Sequence, residues 1–210
     1  MRLSKILVIA AHPDDEIIGC GGTVARLVDE GNSAFTVIVG EDRGLKKQAM
    51  EAGEIIGVHE IRFLGYKDNK FDEVSLLDIV QSIESMLEIY QPDIIFTHFR
   101  NDLNIDHELT YRAVITATRP MPYQTVKKIY SFEILSSTEW RYPTSFSPNV
   151  FWAIEGTLNR KIKAISKYET ELKDYPHPRS KIGITLNADY WGMKAGLISA
   201  EPFEMVRAIY

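Results

Sequence analysis

The chain has 210 residues, 45% apolar and 25% charged, which fits one globular domain with a sizeable core and argues against disorder. Its net charge of −5 argues against a dedicated nucleic-acid binder, which would show a basic face. The lone cysteine, Cys20, excludes an intramolecular disulfide and a multi-cysteine metal site; no 18-residue apolar run offers a membrane-spanning helix.

Cys20 stands between Gly19 and Gly21 and reads as a small packing residue. Arg2 and Lys5 precede an apolar stretch, but that stretch is too short for a signal peptide and runs straight into polar residues. A cytoplasmic protein is the simplest expectation.

Leu7–Ala11 reads as a first strand buried on both faces, followed by a helix over Glu16–Glu30 ended by Gly31. Phe35–Val39 is a second strand, Lys46–Ile56 a helix ended by Gly57, and Ile61–Leu64 a short third strand. Leu76, Ile79, Val80, Ile83 and Leu87 fall on one helical face behind the cap Ser75. Pro92 breaks the chain before a fourth strand at Ile94–Thr97, and a helix is expected from about His107 to Thr118. Beyond Pro120 the pattern changes: strands at Lys128–Leu135 and Asn149–Ile154, then helical segments at about Thr157–Leu172 and Ser180–Gly196.

Strand-helix alternation predicts an α/β fold: a Rossmann-like three-layer arrangement with a mostly parallel sheet. Residues 1–120 form its core, and residues 121–210, an extension of the same single domain, complete the sheet and wall the active site. Ligands of open α/β sheets bind beyond the carboxyl ends of the strands. His12–Asp15 follows the first strand and His98–Asp102 the fourth, so the topology brings both segments to one crevice.

His12-Pro13-Asp14-Asp15 offers two metal ligands, His12 and Asp15, from one turn. Zinc takes nitrogen and oxygen donors, and a catalytic site keeps one position open. Among the remaining histidines, His107 is the best third ligand and His98 its competitor. Asp14 is then a spare carboxylate able to accept a proton from water activated by a metal. The same residues could instead form a turn and cap a helix. The chain lacks a complete dinucleotide fingerprint, a phosphate loop and a Gly-x-Ser-x-Gly elbow. These parts suit a metal-assisted amide or ester hydrolase.

Ala11-His12-Pro13-Asp14-Asp15-Glu16, with Gly19 and Gly21-Gly22-Thr23 behind it, resembles the signature of the PIG-L/LmbE-like zinc-dependent de-N-acetylases. Asp106-His107 and Phe63-Leu64-Gly65 with Asp68 resemble further segments of that family. The resemblance implies removal of an acetyl group from a small-molecule N-acetyl amino sugar, on a sugar conjugate or nucleotide sugar. It implies zinc, with other divalent ions accepted, held by His12, Asp15 and His107, and Asp14 as general base. Many members carry a histidine where this chain has Asn104, which can donate to an oxyanion but cannot deliver a proton at neutral pH. The proton to the leaving amine must then come from Asp14, His98 or His177.

Arg43, Asp68, Trp140 and Arg179 are the candidate substrate contacts; a solvated loop charge, an Asx turn, a core aromatic and a surface turn are their ordinary alternatives. His59 and Lys127-Lys128 read as ordinary surface residues. Two rival readings share the site: a metal-dependent amidase on a larger acyl group, and a zinc-containing sugar-binding protein with weak turnover. No membrane insertion is expected, and a homo-oligomer is left open.

Overall fold

The computed structural model describes residues 3–210; Met1 and Arg2, the latter part of the basic flank weighed above, lie outside the described residues. Strand β1 (Lys5–Ala10) leads to helix α1 (Asp15–Asp29), and β2 (Ser33–Gly40) to α2 (Lys46–Ile56). Strand β3 (Glu60–Tyr66) leads through a single 3-10 turn at Phe71–Glu73 to α3 (Leu76–Tyr90), and β4 (Ile94–His98) to α4 (Ile105–Ala117). After β5 (Lys128–Phe132) come a second short turn at Thr138–Trp140, β6 (Val150–Ala153), α5 (Leu158–Ile165), α6 (Lys181–Ala195) and β7 (Ala200–Ala208).

The strands form one sheet in the order β3-β2-β1-β4-β5-β7-β6. The first five are parallel, and β7 and β6 add antiparallel at one side. Alternation along β1 sets the layers: Ile6 and Val8 face the core under α1, α2, α5 and α6, whereas Leu7 and Ile9 face the core under α3 and α4. The α/β, three-layer architecture is thus the one expected. The order reverses between β1 and β4, so the crevice opens beyond their carboxyl ends.

Local chemistry explains where elements start and stop. Ser75 Oγ caps α3 by accepting the Leu77 N–H at 3.3 Å. Helix α4 begins two residues before the expected His107, because Asn104 Oδ1 accepts the Asp106 N–H at 2.8 Å. The helix expected over Thr157–Leu172 ends at Ile165, and the chain then turns Tyr168 fully inward. Strand β7 went unread in the sequence. Its Pro202 lies one residue outside the β5 ladder, which begins at Phe132–Phe203, so the missing N–H falls where β5 offers no partner. Close packing seats α1 against the sheet: a Cβ on Gly19 would lie 2.3 Å from the Phe132 ring.

Candidate metal centre

The turn after β1 carries His12, Asp14 and Asp15 inward, and all three are buried. Asp15 Oδ2 accepts the His12 backbone N–H at 2.9 Å, which folds the segment back on itself. The start of α4, held by the Asn104 cap, points His107 into the same space. His12 Nδ1 and His107 Nε2 lie 3.4 and 3.3 Å from Asp15 Oδ2, and 3.3 Å from each other. Three donors on one tetrahedral zinc, at about 2.0–2.1 Å each, would be separated by about 3.3–3.4 Å. His12, Asp15 and His107 therefore present a triangle of the right size and donor chemistry.

Each imidazole has a carboxylate behind it. His12 Nε2 lies 3.0 Å from Asp106 Oδ2 and 3.2 Å from Asp68 Oδ1. His107 Nδ1 lies 3.1 Å from Asp102 Oδ1. Asp102 is held by the hydroxyls of Ser137 and Thr138, and Asp106 Oδ1 accepts the Phe71 N–H at 3.1 Å. Such outer carboxylates fix the tautomer and ring orientation of metal-ligating histidines. Sequence reading missed both roles; the signal was the polar run Asn101–Asp106 ahead of His107.

The electrostatics favour a cation. Burial alone would lower the His12 pKa, but Asp106, Asp15 and Asp68 raise it to about 10. Burial opposes charge on His107 too, yet Asp15 and Asp102 raise its pKa to about 9. Burial would raise Asp102, but His107 and the two hydroxyls bring it to about 2. Burial works against ionised Asp15 as well, and the facing histidines hold it well below the usual range. Asp15 Oδ1 is buried and has no hydrogen-bond partner. A pocket that draws protons onto two buried histidines is one that a divalent ion can enter by displacing them, so the residues fit the metal.

Asp14 sits beside this triangle. Its φ of +103° is an unusual backbone for an aspartate, and its N–H donates to Glu16 Oε2 at 3.0 Å. Glu16 Oε1 accepts from the Tyr168 hydroxyl at 2.6 Å, so Glu16 does more than start a helix. Burial raises the Glu16 pKa to about 7, despite these donors. Arg179 Nη1 donates to Asp14 Oδ2 at 3.0 Å, and its Nε to the Leu135 carbonyl at 3.1 Å. Burial pushes the Asp14 carboxyl up; Arg179 opposes this, and Asp15 and Glu16 add to it.

The other expected site residues separate. His98 is fully buried, its Nε2 accepts the Ala11 N–H at 2.7 Å, and its ring stacks on His107 with centroids 4.0 Å apart. Burial, and then His107, hold it well below its ordinary pKa, so it is a neutral imidazole. Asn104 is committed to the α4 cap and to Asn69 Oδ1, 3.3 Å from its Nδ2. Asp68 and Arg43 meet at 3.3 Å, and Arg43 reaches on to Glu171 at 3.3 Å. His177 Nδ1 accepts the Arg179 N–H at 3.1 Å, and its ring meets that of Trp140 edge-on at 5.6 Å. Trp140 remains 41% exposed at the rim.

The family described as GlcNAc-PI de-N-acetylase matches residues 7–118, and the chain belongs to that family. It is accordingly a hydrolytic N-deacetylase by class. A probable N-acetyl-alpha-D-glucosaminyl L-malate deacetylase 2 of Bacillus cereus is 25% identical over 79% of this chain and 83% of its own. The solved N,N'-diacetylchitobiose deacetylase of Pyrococcus horikoshii superposes with a TM-score of 0.78 at 22% identity, covering 97% of this chain and 84% of that one. A 4-carboxy-2-hydroxymuconate hydratase from Pseudomonas putida KT2440 superposes with a TM-score of 0.75 at 19% identity, covering 99% and 98%. Likeness at these identities shows the fold, which hosts more than one reaction.

Proposed function

We propose that this chain, as one domain over residues 1–210, is a cytoplasmic zinc-dependent enzyme that removes the acetyl group from an N-acetylated amino sugar carried on a conjugate or nucleotide. The observation that carries the reading is the buried triangle of His12 Nδ1, Asp15 Oδ2 and His107 Nε2, with edges of 3.3–3.4 Å. Named relatives support the sugar: one is named a probable N-acetyl-alpha-D-glucosaminyl L-malate deacetylase and another a diacetylchitobiose deacetylase. No described helix is long and apolar enough to cross a membrane.

Bound by His12, Asp15 and His107, Zn2+ or a similar divalent ion would polarise the amide carbonyl and acidify a water. Asp14 takes the proton from the attacking water at Oδ1 while Arg179 holds Oδ2. The C–N bond then breaks, the proton passes from Asp14 to the amine nitrogen, and acetate and free amine leave. His98 is fully buried with its Nε2 accepting the Ala11 N–H, and the Asn104 amide has no transferable proton, which leaves His177 as the second source of that proton. We assign Asp68 to orienting His12 rather than to a sugar hydroxyl, because it already touches His12 and Arg43. Arg43 holds Asp68 in place, and Trp140 offers its exposed ring to the sugar.

Asp14→Asn is expected to lower kcat for acetate release from N-acetylglucosamine conjugates by at least about 10²-fold, with one divalent ion per chain retained by elemental analysis. Wild-type turnover in this variant, or a purified protein that takes up no divalent ion, would overturn the reading.

A further inference from the structure

Helix α6 is apolar on two faces. Ile184, Ala188, Trp191 and Gly192 pack inward. Ile182, Leu186, Tyr190 and Met193, at i, i+4, i+8 and i+11, point outward and are 55%, 53%, 47% and 70% exposed. Ile198, just beyond the helix, is 77% exposed. An outward apolar stripe on a helix whose opposite face is already buried marks an interaction surface. The four helical side chains expose on the order of 500 Å² in one stripe, within the range of a monomer's largest apolar patch and more than half of the roughly 800 Å² per partner of a standard interface.

We propose that this face of α6 seats a second copy of this chain in an isologous two-fold dimer. Two features favour a second copy over a lipid surface. First, the charges bordering the stripe balance: Lys173, Lys181 and Lys194 against Glu169, Asp174 and Asp189, all exposed. That leaves no basic excess for anionic lipid, and an isologous contact needs a patch able to face itself. Second, a groove of about 440 Å³, lined in part by Leu172, Tyr175 and Ile182, opens at the start of α6. Antiparallel pairing of two α6 helices, with the axis beside Leu186 and Tyr190, brings the protruding Ile198 of one protomer to the groove of its partner. The same pairing brings Lys194 to the end carrying Glu169 and Asp174. The contact would abut Arg179, which precedes α6 by two residues.

Sedimentation of the wild-type protein at micromolar concentration is expected to give twice the chain mass of 23.9 kDa. Leu186→Glu with Met193→Glu should halve it, with circular dichroism unchanged because both side chains are exposed. A Tyr190→Cys variant should form a disulfide-linked dimer on mild oxidation, since native Cys20 is buried. A wild-type monomer, with or without binding to phosphatidylcholine vesicles, would overturn the proposal. So would a dimer that survives the double substitution, or a Tyr190→Cys variant that stays unlinked.

Discussion

Asp15 Oδ2 closes the turn onto the His12 N–H and forms one corner of the donor triangle, so backbone geometry and ligand geometry are set by one atom. Asp102 and Asp106 act one step out, on the nitrogens that His107 and His12 turn away from the triangle. Asp102→Asn and Asp106→Asn are each expected to weaken Zn2+ affinity by about 10–100-fold. Titration against a chelating dye reads this directly, and unchanged affinity in both variants would remove the outer carboxylates from the account. The inner motif was legible because His12, Asp14 and Asp15 share one turn, where spacing along the chain is spacing in space. Asp102 and Asp106 were not, because their roles depend on where α4 begins and on which way each imidazole faces. Asn104 stood in the sequence as a missing acid; in the fold it is the cap that starts α4.

Helix α1 carries the first half of the site, and later elements grip it at its middle. Lys161 Nζ of α5 donates to the Ile18 carbonyl at 2.7 Å and to Glu201 Oε1 of β7 at 2.6 Å. Glu201 accepts the Gly22 and Thr23 N–H groups at 2.9 and 2.7 Å. The pair is buried, so removing one partner strands the other charge away from water. Lys161→Met should cost about 3–5 kcal/mol by urea unfolding, and adding Glu201→Gln should recover part of it. A double variant no more stable than Lys161→Met would refute this coupling. The parallel core and α3 were readable from hydrophobic period and caps alone. Strand β7 was not: Pro202 and two glutamates argue against a strand, and the glutamates' partners lie far off in sequence, Gly22, Thr23 and Lys161 for Glu201 and Arg100 and Ser147 for Glu204. The end of α5 was equally hidden, because the inward turn of Tyr168 serves Glu16, far away in sequence.

Across the whole molecule, protons, metal and folding compete for the same pocket. In the metal-free chain the His12 and His107 pKa values stand at about 10 and about 9, above the ordinary 6.5, because surrounding carboxylates outweigh burial. A histidine whose folded pKa is raised stabilises the fold fully below its unfolded pKa, and that contribution is lost as pH rises through the folded value. The chelated protein should therefore lose thermal stability progressively from about pH 6.5 to about pH 10. Divalent metal reverses the sign, because its ligands must be deprotonated and its affinity climbs with pH. Melting temperatures taken with EDTA and with Zn2+ should diverge as pH rises, the gap widening from near-neutral conditions upward. Parallel curves would mean that His12 and His107 do not exchange protons for metal, and the triangle at the end of β1 would lose its role as the ion's seat.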